Sequence, residues 1–219
     1  MASSLSPNAH PSRLIRLVPS PSPEVADRFD DPAVLVEAVA AGDPRAHAAL
    51  WDRHATALRA VLRRTLGCTF DVEDALQEVF IRFFRAAKQL REPARLRPYL
   101  VGIALRVARR ELRRRRFKRW FVLTDDGAVP EVATSHDDGA REAVRRLYAI
   151  LDELEVETRL VFVLRHIEEL ELTEVAEHLG ISLATVKRRL ARATPLVTSR
   201  LRRDPLLAPY VQNEAELKP

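Results

Sequence analysis

The 219-residue chain has one cysteine, Cys68, and only six glycines. A single cysteine forms no disulfide within the chain and builds no cysteine-rich zinc site, which fits a reducing compartment. The scattered glycines make no phosphate-cradling loop. His166 and His178 are twelve residues apart, and no HExxH spacing offers a metal site. Asp125-Asp126-Gly127 lacks the remaining ligands of a calcium loop. No apolar run approaches the length of a membrane span, and the N-terminus lacks the charged-then-apolar layout of a signal peptide. Strand-like alternation is also missing. These absences point away from catalysis, metals, cofactors and membrane insertion, and toward an all-α, soluble, cytoplasmic protein.

Charge is what the chain has in quantity. Lys, Arg, Asp and Glu make up 31% of it, and a net charge of +5 hides strong segregation. Arg91 to Arg119 holds twelve basic residues against two acidic ones. Ile150 to Leu179 holds nine acidic residues against two basic, and Ser182 to Arg203 holds seven basic and no acidic ones. Two basic blocks separated by an acidic one imply two surfaces for a polyanion and other surfaces for a different partner.

The chain divides by composition and period. Residues 1–30 are a Ser/Pro-rich extension expected to be disordered. Residues 31–119 carry four helical segments around one core. Asp31-Pro32 and Asp43-Pro44 are paired helix starts, a third helix begins near Asp71, and a fourth runs from about Arg95 after a break at Glu92-Pro93. Residues 120–139 lose the helical period and gain Gly, Pro and Asp, as an acidic, flexible linker does. Residues 140–203 form a second small helical domain, and residues 204–219 are expected to be a loose tail.

Residues 172–194, LTEVAEHLGISLATVKRRLARAT, hold the sharpest local pattern. Leu172, Val175, Ala176 and Leu179 share one helix face. Gly180 is suited to a left-handed turn, Ile181 is an apolar plug, and Ser182 is an N-cap. Val186 and Leu190 then face inward, leaving Lys187, Arg188, Arg189 and Arg192 pointing outward. This is a helix-turn-helix, whose second helix enters the DNA major groove. Pro195 is expected to end or kink that helix.

Eight of the twelve residues in RRELRRRRFKRW (109–120) are Arg or Lys. Like charges so close on a helix repel, and nucleic acid supplies the phosphates that offset them. Phe117, Trp120 and Phe121 lie among the cations and suit stacking on unpaired bases. The third helix is opposite in character. Asp71, Glu73, Asp74 and Glu78 crowd its start, and Asp74, Gln77 and Glu78 share one side, a face suited to a protein partner. Part of that acidity serves the helix dipole, and the phenylalanines that follow read as core.

Taken in order, these segments resemble a sigma-70 family initiation factor of the small extracytoplasmic-function type. DVEDALQEVFIRFFR (71–85) is similar to the family's polymerase-docking helix. RPYLVGIALRVARRELRRRRF (97–117) is similar to the helix that opens the promoter and reads its minus-ten element. LDELEVETRLVFVLRHIEELELTEVAEHLGISLATVKRRLARA (151–193) is similar to the domain that reads the minus-thirty-five element. The resemblance implies that core RNA polymerase and promoter DNA, duplex and melted, are the partners. It implies polymerase contacts at Asp74, Gln77 and Glu78. It places Arg97, Tyr99, Arg106, Arg109, Arg110, Arg113 and Arg114 on the minus-ten side, and Ser182, Thr185, Lys187, Arg188, Arg189 and Arg192 on the minus-thirty-five side. Arg106 and Arg110 stand where the family usually has Asn and Asp, and Tyr99 where tryptophan is usual. Many factors of this type are held inactive by an anti-sigma protein, which adds one further partner. A stand-alone helix-turn-helix regulator and a basic RNA-binding adaptor are the rival readings, and neither needs an acidic docking helix followed by an aromatic, basic one.

Overall fold

The computed structural model describes residues 28–68, 70–122 and 138–211. Among them are eight α-helices and no strand. The paired Asp-Pro signals both start helices. Asp31 accepts a hydrogen bond from the Ala33 amide at 2.8 Å and opens α1 (Pro32–Ala40). Asp43 accepts from the Arg45 amide at 2.8 Å and opens α2 (Pro44–Leu66). Each aspartate satisfies one of the orphan amides of a helix start, and the proline that follows has no amide to satisfy. Gly42, at φ 83°, turns the chain between the two.

Helix α3 (Glu73–Ala86) begins where Asp71 accepts from the Glu73 amide at 3.0 Å. Its Phe80 packs against Trp51, with ring centroids 4.6 Å apart, and its Phe83 meets Tyr99 edge-on at 6.1 Å. Short 3-10 turns at Ala87–Gln89 and Pro93–Arg95 lead into α4 (Leu96–Val122). Leu100, Ile103, Ala104, Val107, Ala108 and Leu112 of α4 are buried. Each fully buried aliphatic or aromatic side chain contributes about 1.5–3 kcal/mol. This inward stripe reaches Leu112, so it anchors α4 well into the start of its cation run. Helix α4 extends through Trp120, Phe121 and Val122, three residues into the stretch expected to be linker. At the other end of that stretch Asp138 and Gly139 already belong to the next helix, and Phe29, placed by sequence in the disordered extension, is buried with its carbonyl accepting from Arg53 at 2.9 Å. The rest of both expectations, residues 1–27 and 123–137, lies outside the described residues.

Helices α5 (Asp138–Leu151), α6 (Val156–His166), α7 (Leu172–Leu179) and α8 (Leu183–Arg203) follow. Pro195 does not end α8, which runs eight residues beyond it. A proline removes one backbone donor, and here it stands on an exposed face while Ala193 and Val197 on either side of it are buried and hold the helix in place. The chain after Asp204 is not loose as far as Val211. Leu207 and Val211 are buried, and Leu207 joins a core with Ile150, Leu151, Phe162 and Val197.

The larger core is shared between the two halves of the chain. Leu160, Val161, Leu164, Val175, Leu179, Val186 and Leu190 belong to one buried cluster with Leu62, Leu100 and Leu112. The second group of helices thus packs directly on α2 and α4. Sequence patterning assigns each group its own inward face. It does not show that the two groups close on each other.

Candidate nucleic-acid interface

The helix-turn-helix forms as its local chemistry dictates. Glu174 accepts from the Glu171 amide at 2.8 Å at the start of α7. Gly180 takes the left-handed conformation at φ 64°, and the Ile181 amide donates back to the Ala176 carbonyl at 3.0 Å. Ser182 accepts from the Thr185 amide at 3.2 Å, and its hydroxyl lies 2.9 Å from that of Thr185. Ser182 is therefore a cap first. Val186 and Leu190 are fully buried, so α8 is clamped with Lys187, Arg188 and Arg192 exposed and Thr185 half-buried. Arg189 departs from the outward expectation: its side chain is only 22% exposed and leans toward Glu157. It lies three residues from both Val186 and Arg192, at the border of the buried stripe, and a carboxylate is within reach there.

Along α4, Arg97, Arg106, Arg110, Arg113 and Arg114 are exposed. Tyr99 is half-buried against Phe83. Arg109 is turned inward, where it pairs with Glu157 at 3.1 Å and donates to the Leu179 carbonyl at 3.4 Å. Arg114 is held by Glu111 of its own helix at 2.6 Å, and that hydrogen bond raises its pKa. The next two cations of the run serve the fold. Arg115 stacks 4.2 Å over the Phe70 ring, where burial lowers its pKa, and Arg116 donates to the Leu154 carbonyl at 3.2 Å.

On α3, Asp74 is exposed and Glu78 half-buried, but Gln77 is only 7% exposed. The expected three-residue face therefore reduces to its two acids. Gln77 lies one residue after the buried Leu76, and its side chain follows it into the core edge. Glu78 binds Arg82 at 2.8 Å and lies 3.5 Å from Arg110 of α4, so the acidic face of α3 and the basic face of α4 adjoin.

The two halves meet through side chains that sequence reasoning passed over. Arg159 of α6 is 3% exposed and donates to the carbonyls of Thr65 and Leu66, both at 3.1 Å, while it also pairs with Asp152. Those carbonyls end α2 and have no intrahelical donor, so Arg159 caps a helix of the other half. Tyr148 donates to the Arg64 carbonyl at 2.7 Å, and burial pushes its phenol up to about 12. Arg64 pairs with Glu168 at 2.6 Å, and Arg95 with Glu177. Glu157, 12% exposed, faces Arg113, Arg109 and Arg189 together. The one available signal for Arg159 was a cation set among apolar residues at the start of ETRLVFVLRH; Glu157 gave none, since one acid in an acidic block reads as solvated.

Among the described residues no helix is long and apolar enough to cross a membrane. The family model for sigma-70 region 2 matches residues 50–118, and that for sigma-70, region 4 matches residues 144–194. The RNA polymerase sigma factor NccH of Alcaligenes xylosoxydans xylosoxydans is 31% identical over 184 residues, covering 78% of this chain and 96% of its own. The ECF RNA polymerase sigma factor SigL of Mycobacterium tuberculosis is 30% identical over 158 residues, covering 71% of this chain and 88% of its own. Among solved structures, CnrH in complex with the cytosolic domain of CnrY superposes with a TM-score of 0.55 at 28% identity, over 82% of this chain and 99% of that one.

Proposed function

Because the chain belongs to the sigma-70 family of RNA polymerase sigma factors, in its extracytoplasmic-function type, we propose that three of its surfaces divide the work of initiation. The protein binds core RNA polymerase and directs it to promoters, so its partners are the polymerase and promoter DNA, duplex and melted. It works where that polymerase works, in the cytoplasm. No catalytic residue and no metal or cofactor is assigned to it.

Asp74 and Glu78 on α3 present carboxylates to the polymerase. Gln77 supports them from beneath. Arg97, Tyr99, Arg106, Arg109, Arg110, Arg113 and Arg114 on α4 serve the upstream edge of the bubble and the minus-ten element. With Arg at positions 106 and 110, phosphate contact outweighs base reading there. Ser182, Thr185, Lys187, Arg188, Arg189 and Arg192 serve the minus-thirty-five element in the major groove, where Arg pairs bidentately with guanine. Residues 31–119 and 140–203 act as the two DNA-reading units, joined through 120–139. Two weak contacts on one duplex then reinforce each other through effective concentration. CnrH was solved in complex with the cytosolic domain of CnrY, which supports a protein partner besides polymerase for this chain, and the family resemblance makes an anti-sigma protein the partner we propose.

The observation that carries the reading is the order of the two regions in one chain: an acidic helix beside a cation-rich one, then a capped helix-turn-helix with Lys187, Arg188 and Arg192 exposed. Gel filtration with core polymerase tests it. The chain is expected to comigrate with the enzyme and to support synthesis from a cognate promoter. Failure of both, with tight binding to a palindromic site by the chain alone, would favour a stand-alone regulator.

A further inference from the structure

Phe117 is 65% exposed within the densest run of cations in the chain. The core does not explain its place. The buried stripe of α4 reaches Leu112, and Phe117, five residues further on, points about 140° away from that residue at the pitch of an α-helix. The face it does share is cationic. Tyr99, Arg106, Arg110, Arg113 and Phe117 follow one another at steps of seven, four, three and four residues, which keeps all five on one stripe. From Tyr99 to Phe117 that stripe makes five full turns, about 27 Å along the axis. Tyr99 is anchored edge-on against Phe83, and the three arginines between the rings are exposed. Arg110 and Arg113 meet carboxylates, Glu78 at 3.5 Å and Glu157 at 2.7 Å. Exposed pairs of this kind are weak and give way to a phosphate. A row of guanidiniums with an aromatic ring at each end suits single-stranded nucleic acid, whose phosphates follow the cations and whose bases stack on the rings. Bases of a duplex are already stacked on each other, so a ring on a helix surface gains a partner only where the strands have come apart.

We propose that Phe117 is a second stacking platform on α4, which takes a base of the melted DNA strand while Arg106, Arg110 and Arg113 hold the phosphates between it and Tyr99. The inference rests on the assignment of α4 to the minus-ten side and adds to it a residue that tells single strand from duplex. The arginines alone hold both forms through their phosphates. A base stacked on Phe117 has left its pairing partner, so binding at this ring and strand separation favour each other by the same factor.

The test uses the full chain at low salt and two fluorescent probes. One is an oligothymidylate of about 20 nucleotides, longer than an ordinary single-strand site; the other is a mixed-sequence duplex of the same length. Phe117→Ala is expected to weaken binding of the single strand about fivefold to 150-fold, the size of one base–aromatic stack, and to leave duplex binding unchanged. Phe117→Trp keeps a stacking face and is expected to bind the single strand as wild type does. Three results would overturn the proposal: a wild-type chain that binds no single strand, equal single-strand affinity of wild type and Phe117→Ala, or a loss that falls on both probes alike. Should Phe117→Ala lose its helical circular dichroism, the wild-type chain decides alone. An oligothymidylate carrying 5-bromouracil is irradiated on it, and the crosslinked residue is read by mass spectrometry. Attachment at Phe117 supports the platform, and attachment confined to other residues contradicts it. The sigma-factor reading is judged separately. Comigration with core polymerase beside a neutral Phe117→Ala would sink the platform alone. Phe117-dependent single-strand binding by a chain that ignores the polymerase would sink that reading and leave the platform standing.

Discussion

Tyr148 donates its hydroxyl hydrogen to the backbone carbonyl of Arg64 at 2.7 Å, across 84 positions of sequence. The same ring lies 3.1 Å from where a side chain at Gly67 would begin, and Gly67 itself has φ 100°. The end of α2 and the start of the second half are thus fitted around one phenol. A Tyr148→Phe change removes the hydrogen bond and keeps the ring. It is expected to cost about 0.5–1.5 kcal/mol in urea unfolding at neutral pH. Burial raises the phenol from 10.0 to about 12, so its contribution is complete below pH 10 and is lost as pH rises toward 12. Wild type should therefore show an alkaline decline in stability between those values that Tyr148→Phe lacks. Parallel declines in both would place the sensitivity elsewhere.

Arg159 is the buried counterpart of that contact. Replacing it with Met keeps much of the volume but strips the Thr65 and Leu66 carbonyls of their donor and leaves Asp152 without this cation. Asp152 is 38% exposed and regains water, so the cost comes from the buried carbonyls left without a donor, about 1–3 kcal/mol each. The denaturant midpoint should fall accordingly, and an unchanged midpoint would show that Arg159 is dispensable to the closed arrangement.

Asp74 and Glu78 are expected to act on binding and Gln77 on stability. The double change Asp74→Ala with Glu78→Ala should weaken capture of core polymerase while the thermal midpoint moves by only a few degrees. Exposed and half-exposed ion pairs contribute about 0–1 kcal/mol, so their loss cannot unfold the chain. Gln77→Ala should lower the midpoint more and polymerase capture less. A pull-down with both variants beside a melting curve separates the two effects.

Arg188 is expected to read a base, being exposed on the recognition helix and without an ion-pair partner among the described residues. Arg188→Ala should cost about 1–3 kcal/mol of discrimination between the preferred promoter and one changed at a single minus-thirty-five position. A uniform loss over all sequences, with a shallower salt dependence, would mark Arg188 as a phosphate contact.

Sequence patterning carries most of the fold because helix chemistry is local. Asp31-Pro32, Asp43-Pro44, Gly180 and Ser182 each act within a few residues of themselves, and each forms the start or turn its residue type requires. Pro195 misled because its effect depends on which face meets solvent, and burial of Ala193 and Val197 keeps the helix going. Gln77 and Arg189 misled for a related reason: a residue at the border of an apolar stripe turns in or out according to what packs opposite. The polar contacts across the two halves were illegible because they join single residues far apart in the chain. Arg159 finds Thr65 over 94 positions, and Glu157 finds Arg113 over 44. No spacing rule links such pairs.

The most direct measurement maps transcription start sites across the genome after overproduction of the wild-type chain and of Arg188→Ala. Wild type is expected to create new starts that share one pair of upstream elements at a fixed separation, and Arg188→Ala to abolish or redistribute them. New starts without any shared upstream pair, or none at all despite a folded and abundant chain, would contradict the assignment of this protein to promoter-directed initiation.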